Sequence, residues 1–335
     1  MSAARCSTPA SPVEGPERET TTTSCPIGTT LAHQLAGEGH DVVVVSRSGS
    51  STGDAGVEHR AADIADPGAL AEIAHGAAVL YNCVNPPYHR WAQEWPPLHR
   101  TFLDAARATG AVLVTASNLY GYGAGSGVMR EETPLASTET KGLVRADMWR
   151  TALAEHEAGR VRVTEVRASD YLGPLATDNA HYGGRLITPL LAGRTLRPIG
   201  NPDLPHSVVF LPDFARTLAV AGTTPTAWGQ AWLAPHLPAE TYRQVARRFS
   251  AAAGRGEPKL APLPTALLRV AALVSPMMRE VQRISYQFTE PFEVDSSRSE
   301  RELGLEATPW DVVVGATLDW WRASGPRSLE GPRAR

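Results

Sequence analysis

At 335 residues, with a net charge of −3 and a pI of about 6.4, the chain is long enough for a large α/β domain with an attached lobe. It has no broad basic face of the kind nucleic acid needs, and its three cysteines, Cys6, Cys25 and Cys83, form no CxxC pair, which suits a reducing cytoplasm better than a disulfide framework. The most apolar late stretch, Leu263 to Met278, is broken by Arg269 and Pro276 and is too short for a bilayer, and the Ser-, Pro- and Glu-rich start lacks a signal peptide's apolar core, so no membrane partner is expected.

Residues 1–23 lack apolar periodicity and read either as disordered or as a degraded first strand, because Glu19 to Thr23 (ETTTT) is polar where a central parallel strand is normally Val or Ile. From Cys25 to Gly49, CPIGTTLAHQLAGEGHDVVVVSRSG joins a glycine turn, a helix and a buried strand. Leu31, Ala32, Leu35 and Ala36 recur at helical spacing, Gly37 and Gly39 end the helix, and Val42 to Val45 is the unbroken β-branched run of a strand covered on both faces. A helix N-terminus at the end of such a strand offers backbone N–H groups and partial positive charge to a phosphate. Of the dinucleotide fingerprint GxGxxG or GxxGxxG only the last glycine, Gly28, survives. Cys25 stands at the second position and Thr22 or Thr23 at the first. Either the cofactor site is degenerate or the start of the sequence is disturbed. On this alignment Cys25, Ile27 and Gly28 are the cofactor-binding positions.

After the second strand, Ser46 and Arg47 suit the 2′-phosphate of NADP, where an acidic residue would suit the ribose of NAD, so NADP is favoured over NAD. Asp54 to His59 reads as a loop, Asp63 as a partner for the adenine amino group, and Asp66 as the N-cap of a helix from Pro67. A strand over Ala77 to Cys83 ends in Val84, Asn85, Pro86, Pro87 and Tyr88, a rigid loop over the carboxyl edge of the sheet where ligands sit. That places Asn85 beside a cofactor and Tyr88 and Trp91 beside a substrate. Trp91, Trp95 and His99 lead into a helix over Leu98 to Thr109, and the aromatics either wall a pocket or pack on the sheet. Ala111 to Thr115 is a buried strand that delivers ASNLYGYG, Ala116 to Gly123, to the same edge.

These segments, followed by TKGLVRADM around Lys141, VRASDYLGP from Val166 to Pro174 and GNPDLPHSVVFLPDFARTL from Gly200 to Leu218, resemble in their order the NAD-dependent epimerase/dehydratase family. The likeness is to the extended, atypical short-chain dehydrogenases/reductases and runs from about Cys25 to Arg322. It implies an α/β fold, a Rossmann-like doubly wound parallel sheet with a smaller C-terminal substrate-binding lobe. Residues 24–170 would form the dinucleotide-binding domain and 171–322 mostly the lobe, with some segments returning to the sheet and 323–335 a disordered tail. A small-molecule substrate, NADP or NAD as cofactor and a homodimer are the corresponding partners.

The resemblance also implies a catalytic hydroxyl, a Tyr and a Lys, the last two spaced Y-x-x-x-K on one helix face, with tyrosinate as base or acid and lysine lowering its pKa and holding the nicotinamide ribose. Lys141 matches the lysine, but Ser137 stands where the tyrosine belongs. The strand-end hydroxyl falls on Ala116 or Asn118, with Ser117 between them. Tyr120 or Tyr122 is then the expected proton donor, unless each is a pocket wall or a core ring. Tyr171 and His206 are expected near the substrate; Asp178, His181, Tyr182 and Arg185 belong either to ligand contacts or to an ordinary loop and helix start. Asp213 reads as the N-cap of a helix from Phe214, and helices are expected over Ala239 to Ala253, Leu263 to Phe288 and Trp310 to Arg322. The ten histidines show no HxxH or HExxH spacing, so no metal site is expected. Two functions follow: an NAD(P)-dependent oxidoreductase or epimerase acting on a small alcohol, ketone or sugar derivative, or a cofactor-independent isomerase, lyase, cyclase or ligand-binding protein on the same fold.

Overall fold

The computed structural model describes residues 18–22, 25–49, 56–177, 180–264, 270, 272, 273 and 275–324. Its first half alternates strands and helices: β1 (Arg18–Thr22), α1 (Pro26–Gly37), β2 (Asp41–Ser46), β3 (Val57–Ala61), α2 (Pro67–Ile73), β4 (Val79–Asn82), α3 (Trp91–Thr109), β5 (Val112–Asn118), α4 (Thr140–Glu157) and β6 (Val163–Ala168). Then come β7 (Asp170–Leu172), α5 (Gly184–Leu191), β8 (Pro205–His206), β9 (Val208–Phe210), α6 (Leu211–Thr223), β10 (Ala231–Leu233), β11 (Glu240–Thr241) and α7 (Tyr242–Ala252). Seven strands form one parallel sheet in the order β10-β6-β5-β4-β1-β2-β3. This is the doubly wound arrangement, with ligands expected where the strand order reverses between β1 and β4.

Period-two alternation sorts the strand residues between the two faces. Val42, Val44, Val79, Tyr81, Val112 and Val114 join α1 and α6 in one core, while Leu80 and Leu113 meet Leu70, Phe102 and Met148 from α2, α3 and α4 in another. The polar segment Arg18–Thr22 fills the centre of the sheet, with Thr20 paired to Val43 on one side and Leu80 on the other. The ladder bonds are made by backbone, threonine is β-branched, and Thr20 is fully buried, so polarity alone does not bar the segment from that place.

Three local expectations give way. Val57–Ala61 is the edge strand β3 rather than part of a loop, its backbone held by β2 while its side chains stay half-exposed. α3 starts at Trp91, not Leu98, and runs through Pro96 and Pro97. Burial of Trp91 and Trp95, with the Trp91 indole donating to the Pro86 carbonyl at 2.8 Å, outweighs the helix bonds those prolines forfeit. Asp213 is not a cap: it sits inside the first turn of α6, almost fully buried, and accepts from the Thr308 N–H and hydroxyl, each at 2.7 Å, which ties α6 to the entry of the last helix.

In the C-terminal lobe α5, α7 and the helix Trp310–Ser324 close over Leu186, Phe249 and Trp321. Thr241 and Gln244 form a reciprocal capping box at the start of α7. Within the stretch expected as one helix from Leu263 to Phe288, the described part holds a helix at Pro276–Arg283 and a 3-10 turn at Ser285–Phe288; Asp178 lies outside the described residues. Among the described residues no helix is long and apolar enough to cross a membrane.

Buried histidines give the fold a pH dependence. His236 faces the Ala234 carbonyl through Nδ1 at 2.6 Å and accepts the Ser169 N–H through Nε2 at 3.1 Å, a pattern only the neutral ring can make. Burial pushes His99, His181 and His236 down to about 4. An unfolded imidazole binds its proton near pH 6.5, so between about pH 6.5 and pH 4 the unfolded chain holds more protons, and stability falls as pH drops. The slope reaches about 1.4 kcal/mol per pH unit for each ring. Urea midpoints should fall across this window, and His236→Gln should flatten the fall. An unchanged slope in that variant would remove His236 from the account.

Candidate active site

The carboxyl ends of β4, β5 and β6, with the start of α1, surround a cavity of about 450 Å³. It is the size of a typical small-molecule site. Cys25, Ile27, Asn85, Tyr88, Trp91, Ser117, Tyr120 and Tyr171, all expected at a site from the sequence, line it together.

At the α1 end the phosphate-binding turn is remodelled. Pro26, the first helical residue, has no N–H, the Gly28 N–H goes to Cys25 Sγ at 3.4 Å, and the Thr29 N–H goes to the Cys25 carbonyl at 3.0 Å. Cys25 Sγ in turn donates to the Cys83 carbonyl at 3.0 Å, pinning the turn to the end of β4. Ile27 is the first-turn position from which an amide can still meet a phosphate. Gly28 itself is buried behind the wall.

At the β5 end the Tyr120 and Tyr88 hydroxyls meet at 2.9 Å, and the two rings and Trp91 pack edge to face or tilted. Burial pushes both phenols above their usual value of 10, Tyr120 further, reinforced by Tyr88 beside it. Ser117 Oγ is buried, with no hydrogen-bond partner among the described residues. Tyr122 takes no part in the cavity. Its ring packs with Leu119, Met129, Leu233 and Phe292, and its oxygen accepts from Arg167 Nη1 at 2.9 Å, so it is a core ring.

Lys141 is held in a buried ion pair. Its side chain is fully buried, and Nζ donates to Glu280 Oε2 at 2.7 Å and the Glu280 carbonyl at 3.0 Å, with Glu139 Oε2 at 3.5 Å. It sits behind Tyr88, 5.9 Å from the ring centroid, and is not among the cavity-lining residues. Nearby, Gly142 is required by space: a Cβ there would collide with Ser137 and the Tyr120 carbonyl, so glycine lets α4 press against the ASNLYGYG segment. His206 also stands off the cavity. Its Nε2 lies 2.8 Å from Asp170 Oδ2, and Asp170 is the residue on the wall. Burial raises the Asp170 carboxyl, but contact with the His206 ring more than offsets this and holds it below its ordinary range.

Ser46, Arg47 and Asp63 lie beyond this cavity. The Ser46 hydroxyl accepts the Gly49 N–H at 3.1 Å, Arg47 is exposed, and Asp63 is exposed with its carboxylate accepting the Ala65 N–H at 3.0 Å. Residues 50–55, which follow Arg47, lie outside the described residues.

Sequence reasoning missed Arg145. Its guanidinium lies between Trp91 and Trp95, 4.6 and 4.5 Å from the ring centroids, it is 5% exposed, and it lines the cavity. The signal was present as two i,i+4 pairs, Trp91 with Trp95 and Lys141 with Arg145, each of which shares a helix face. The cleft fits a nicotinamide dinucleotide, since it runs from the first-turn amide of Ile27 at the start of α1 along the carboxyl edge, and Ser117 Oγ and Arg145 Nε and Nη1, which find no partner among the described residues, leave polar groups on the same wall for a second ligand.

Residues 24–230, more than half of the chain, match the NAD dependent epimerase/dehydratase family. The chain belongs to this family. No curated protein matches it by sequence. Among solved structures it is similar to a nucleoside-diphosphate-sugar epimerase from Pseudomonas aeruginosa, with 18% identity, 92% of this chain and 98% of that one covered and a TM-score of 0.70. It is also similar to a dTDP-glucose 4,6-dehydratase from Bacillus anthracis in complex with NAD, with 14% identity, 94% and 100% covered and a TM-score of 0.76. A UDP-glucose 4-epimerase from Thermotoga maritima, solved with UDP-glucose, gives 15% identity, 92% and 99% covered and a TM-score of 0.72. At these identities the likeness is one of fold, and it extends over nearly the whole chain.

Within this family the ion pair at Lys141 is a structural feature of the chain, and its cost can be measured. Lys141→Met leaves the buried Glu280 carboxylate with Arg283 alone, at 2.6 Å. The expected loss is about 3 kcal/mol, the low end for a broken buried pair because Arg283 remains. Urea denaturation should show it, with Glu280→Gln recovering part of the loss in the same background. A cost below about 1 kcal/mol would reduce the pair to a packing contact.

Proposed function

We propose that the chain is an NAD(P)-dependent oxidoreductase or epimerase acting on a small-molecule alcohol, ketone or sugar derivative. The observation that carries this reading is the course of the cavity, from the start of α1 to the Tyr88–Tyr120 hydroxyl pair along the carboxyl edge of a parallel sheet. NAD-bound and sugar-nucleotide-bound structures of the same fold support it.

In this reading Cys25, Ile27 and the positive end of α1 hold the diphosphate, Asn85 contacts the cofactor, and Ser46, Arg47 and Asp63 meet its adenosine half, with NADP favoured. When bound, the cofactor supplies a hydride acceptor or donor. Tyr120 exchanges a proton with the substrate oxygen, Tyr88 shares that proton across their hydroxyl contact, and Ser117 steadies the oxygen. A phenol raised by burial is protonated at neutral pH and suits donation to a carbonyl better than abstraction. Lys141 acts as a positioning residue, fixing α4 and Tyr88 rather than touching the cofactor.

Two observations favour a second reading, a cofactor-independent isomerase, lyase, cyclase or ligand-binding protein. Pro26 removes one phosphate-facing amide, and the Glu280 pair occupies the lysine. Fluorescence titration with NADPH and NADH separates the two. Micromolar binding with a substrate-dependent loss of absorbance supports the redox enzyme; a folded protein that binds neither cofactor sinks it. Once turnover is established, Tyr120→Phe should lower kcat about 100-fold, with Tyr122→Phe close to the parent. Equal effects of the two substitutions would remove Tyr120 from catalysis.

A further inference from the structure

Each of three carboxylates near the cleft has its own basic partner. Glu165 is 2.7 Å from Arg167, Glu280 is 2.7 Å from Lys141, and Asp170 is 2.8 Å from His206. Arg145 is the exception. Among the described residues no carboxylate pairs with it, and its Nε and Nη1 find no acceptor although it is 5% exposed. Two indole faces compensate part of the charge, but cation–π attraction does not supply acceptors for the N–H groups. A buried guanidinium left in this state is expensive unless something else neutralises it.

We infer that the substrate carries a carboxylate, which docks on Arg145 in the cavity. This rests on the proposed reading that the cleft is the substrate site, and it adds the class of substrate. The charged groups on the cavity wall are Arg145 and Asp170; the Asp170 carboxylate is engaged by the His206 ring at 2.8 Å, whereas Arg145 has no carboxylate partner among the described residues. A carboxylate brings one negative charge. A phosphate monoester brings between one and two at neutral pH, more than the single charge of Arg145. The guanidinium fork matches a carboxylate in plane. Ser117 Oγ, also unpartnered on the same wall, suits a substrate hydroxyl or carbonyl.

The test is calorimetric titration of the full chain, without cofactor and again with saturating NADPH, using benzoate, the uncharged isostere benzamide, and inorganic pyrophosphate. Benzoate should bind and benzamide should be weaker by about tenfold or more, a difference that Arg145→Met abolishes by weakening benzoate while NADPH affinity stays within about twofold. Arg145→Lys keeps a cation beside the indole faces but loses the planar fork, so benzoate should weaken severalfold with the fold intact, which decides the matter should the methionine variant not fold. Equal binding of benzoate and benzamide, no binding of benzoate, or unchanged benzoate affinity in either variant overturns the assignment. So does an Arg145→Met protein that loses pyrophosphate and NADPH instead, since the anion on Arg145 would then be the cofactor's diphosphate. The benzoate measurement without cofactor is independent of NAD(P) binding, so a failure of the redox reading and a failure of this one remain distinguishable.

Discussion

Charge compensation under burial is the constraint on which the active-site region depends. α4 enters the core with Lys141 and Arg145 one turn apart on the same face, and both side chains are almost entirely removed from water. A buried ammonium persists only with close acceptors, and Lys141 obtains them from Glu280 and Glu139. Glu280 belongs to a helix far along the chain, so the pair fastens the segment Pro276–Arg283 beside the cleft. Arg145 meets the same constraint only in part, with two aromatic faces and a place on the cavity wall.

Both ends of the cleft depart from the pattern of the family the chain resembles in sequence. At the α1 end, proline and a thiol stand where glycine-rich turns present backbone to phosphate, and the thiol spans from Gly28 to Cys83. At the α4 end, Ser137 replaces the phenol and Glu280 occupies the lysine's donors. Neither change weakens the sheet. α1 still packs on β2 through Leu31 and Leu35, and the central strand β1 keeps both neighbours. The fold is carried by backbone ladders and apolar faces, which is why the catalytic positions can drift while the architecture persists.

This also explains what could be read from the sequence. The valine run of β2, the Asp66 cap of α2 and the order of the family segments depend on local patterns, and each was legible. The edge strand β3 was not, because Val57 to Ala61 has one half-buried face and takes its strand conformation from β2. The start of α3 was hidden by Pro96 and Pro97, whose local cost is outweighed by two tryptophans meeting the sheet. At the site, the strand-end residues Asn85, Ser117 and Tyr120 could be placed because topology delivers them to one edge. Lys141 could not, since its partner Glu280 lies 139 residues away. Tyr122 went the same way: only the contact with Arg167, a residue of β6, shows which of two neighbouring tyrosines turns into the core.

The aromatic cluster gives the cleft its chemical bias. Tyr88, Trp91, Trp95 and Tyr120 pack on one another beside Arg145, and burial in this cluster is the largest cause of the rise of both tyrosines. A low-dielectric wall strengthens the attraction between a fixed cation and an incoming anion and equally penalises a phenolate. The same rings therefore favour anion binding and hold Tyr120 in its protonated form. Under the proposed function, a site built this way polarises and protonates a carbonyl. A lysine-activated tyrosinate would instead take a proton from an alcohol, and that difference follows from where Lys141 has been tied.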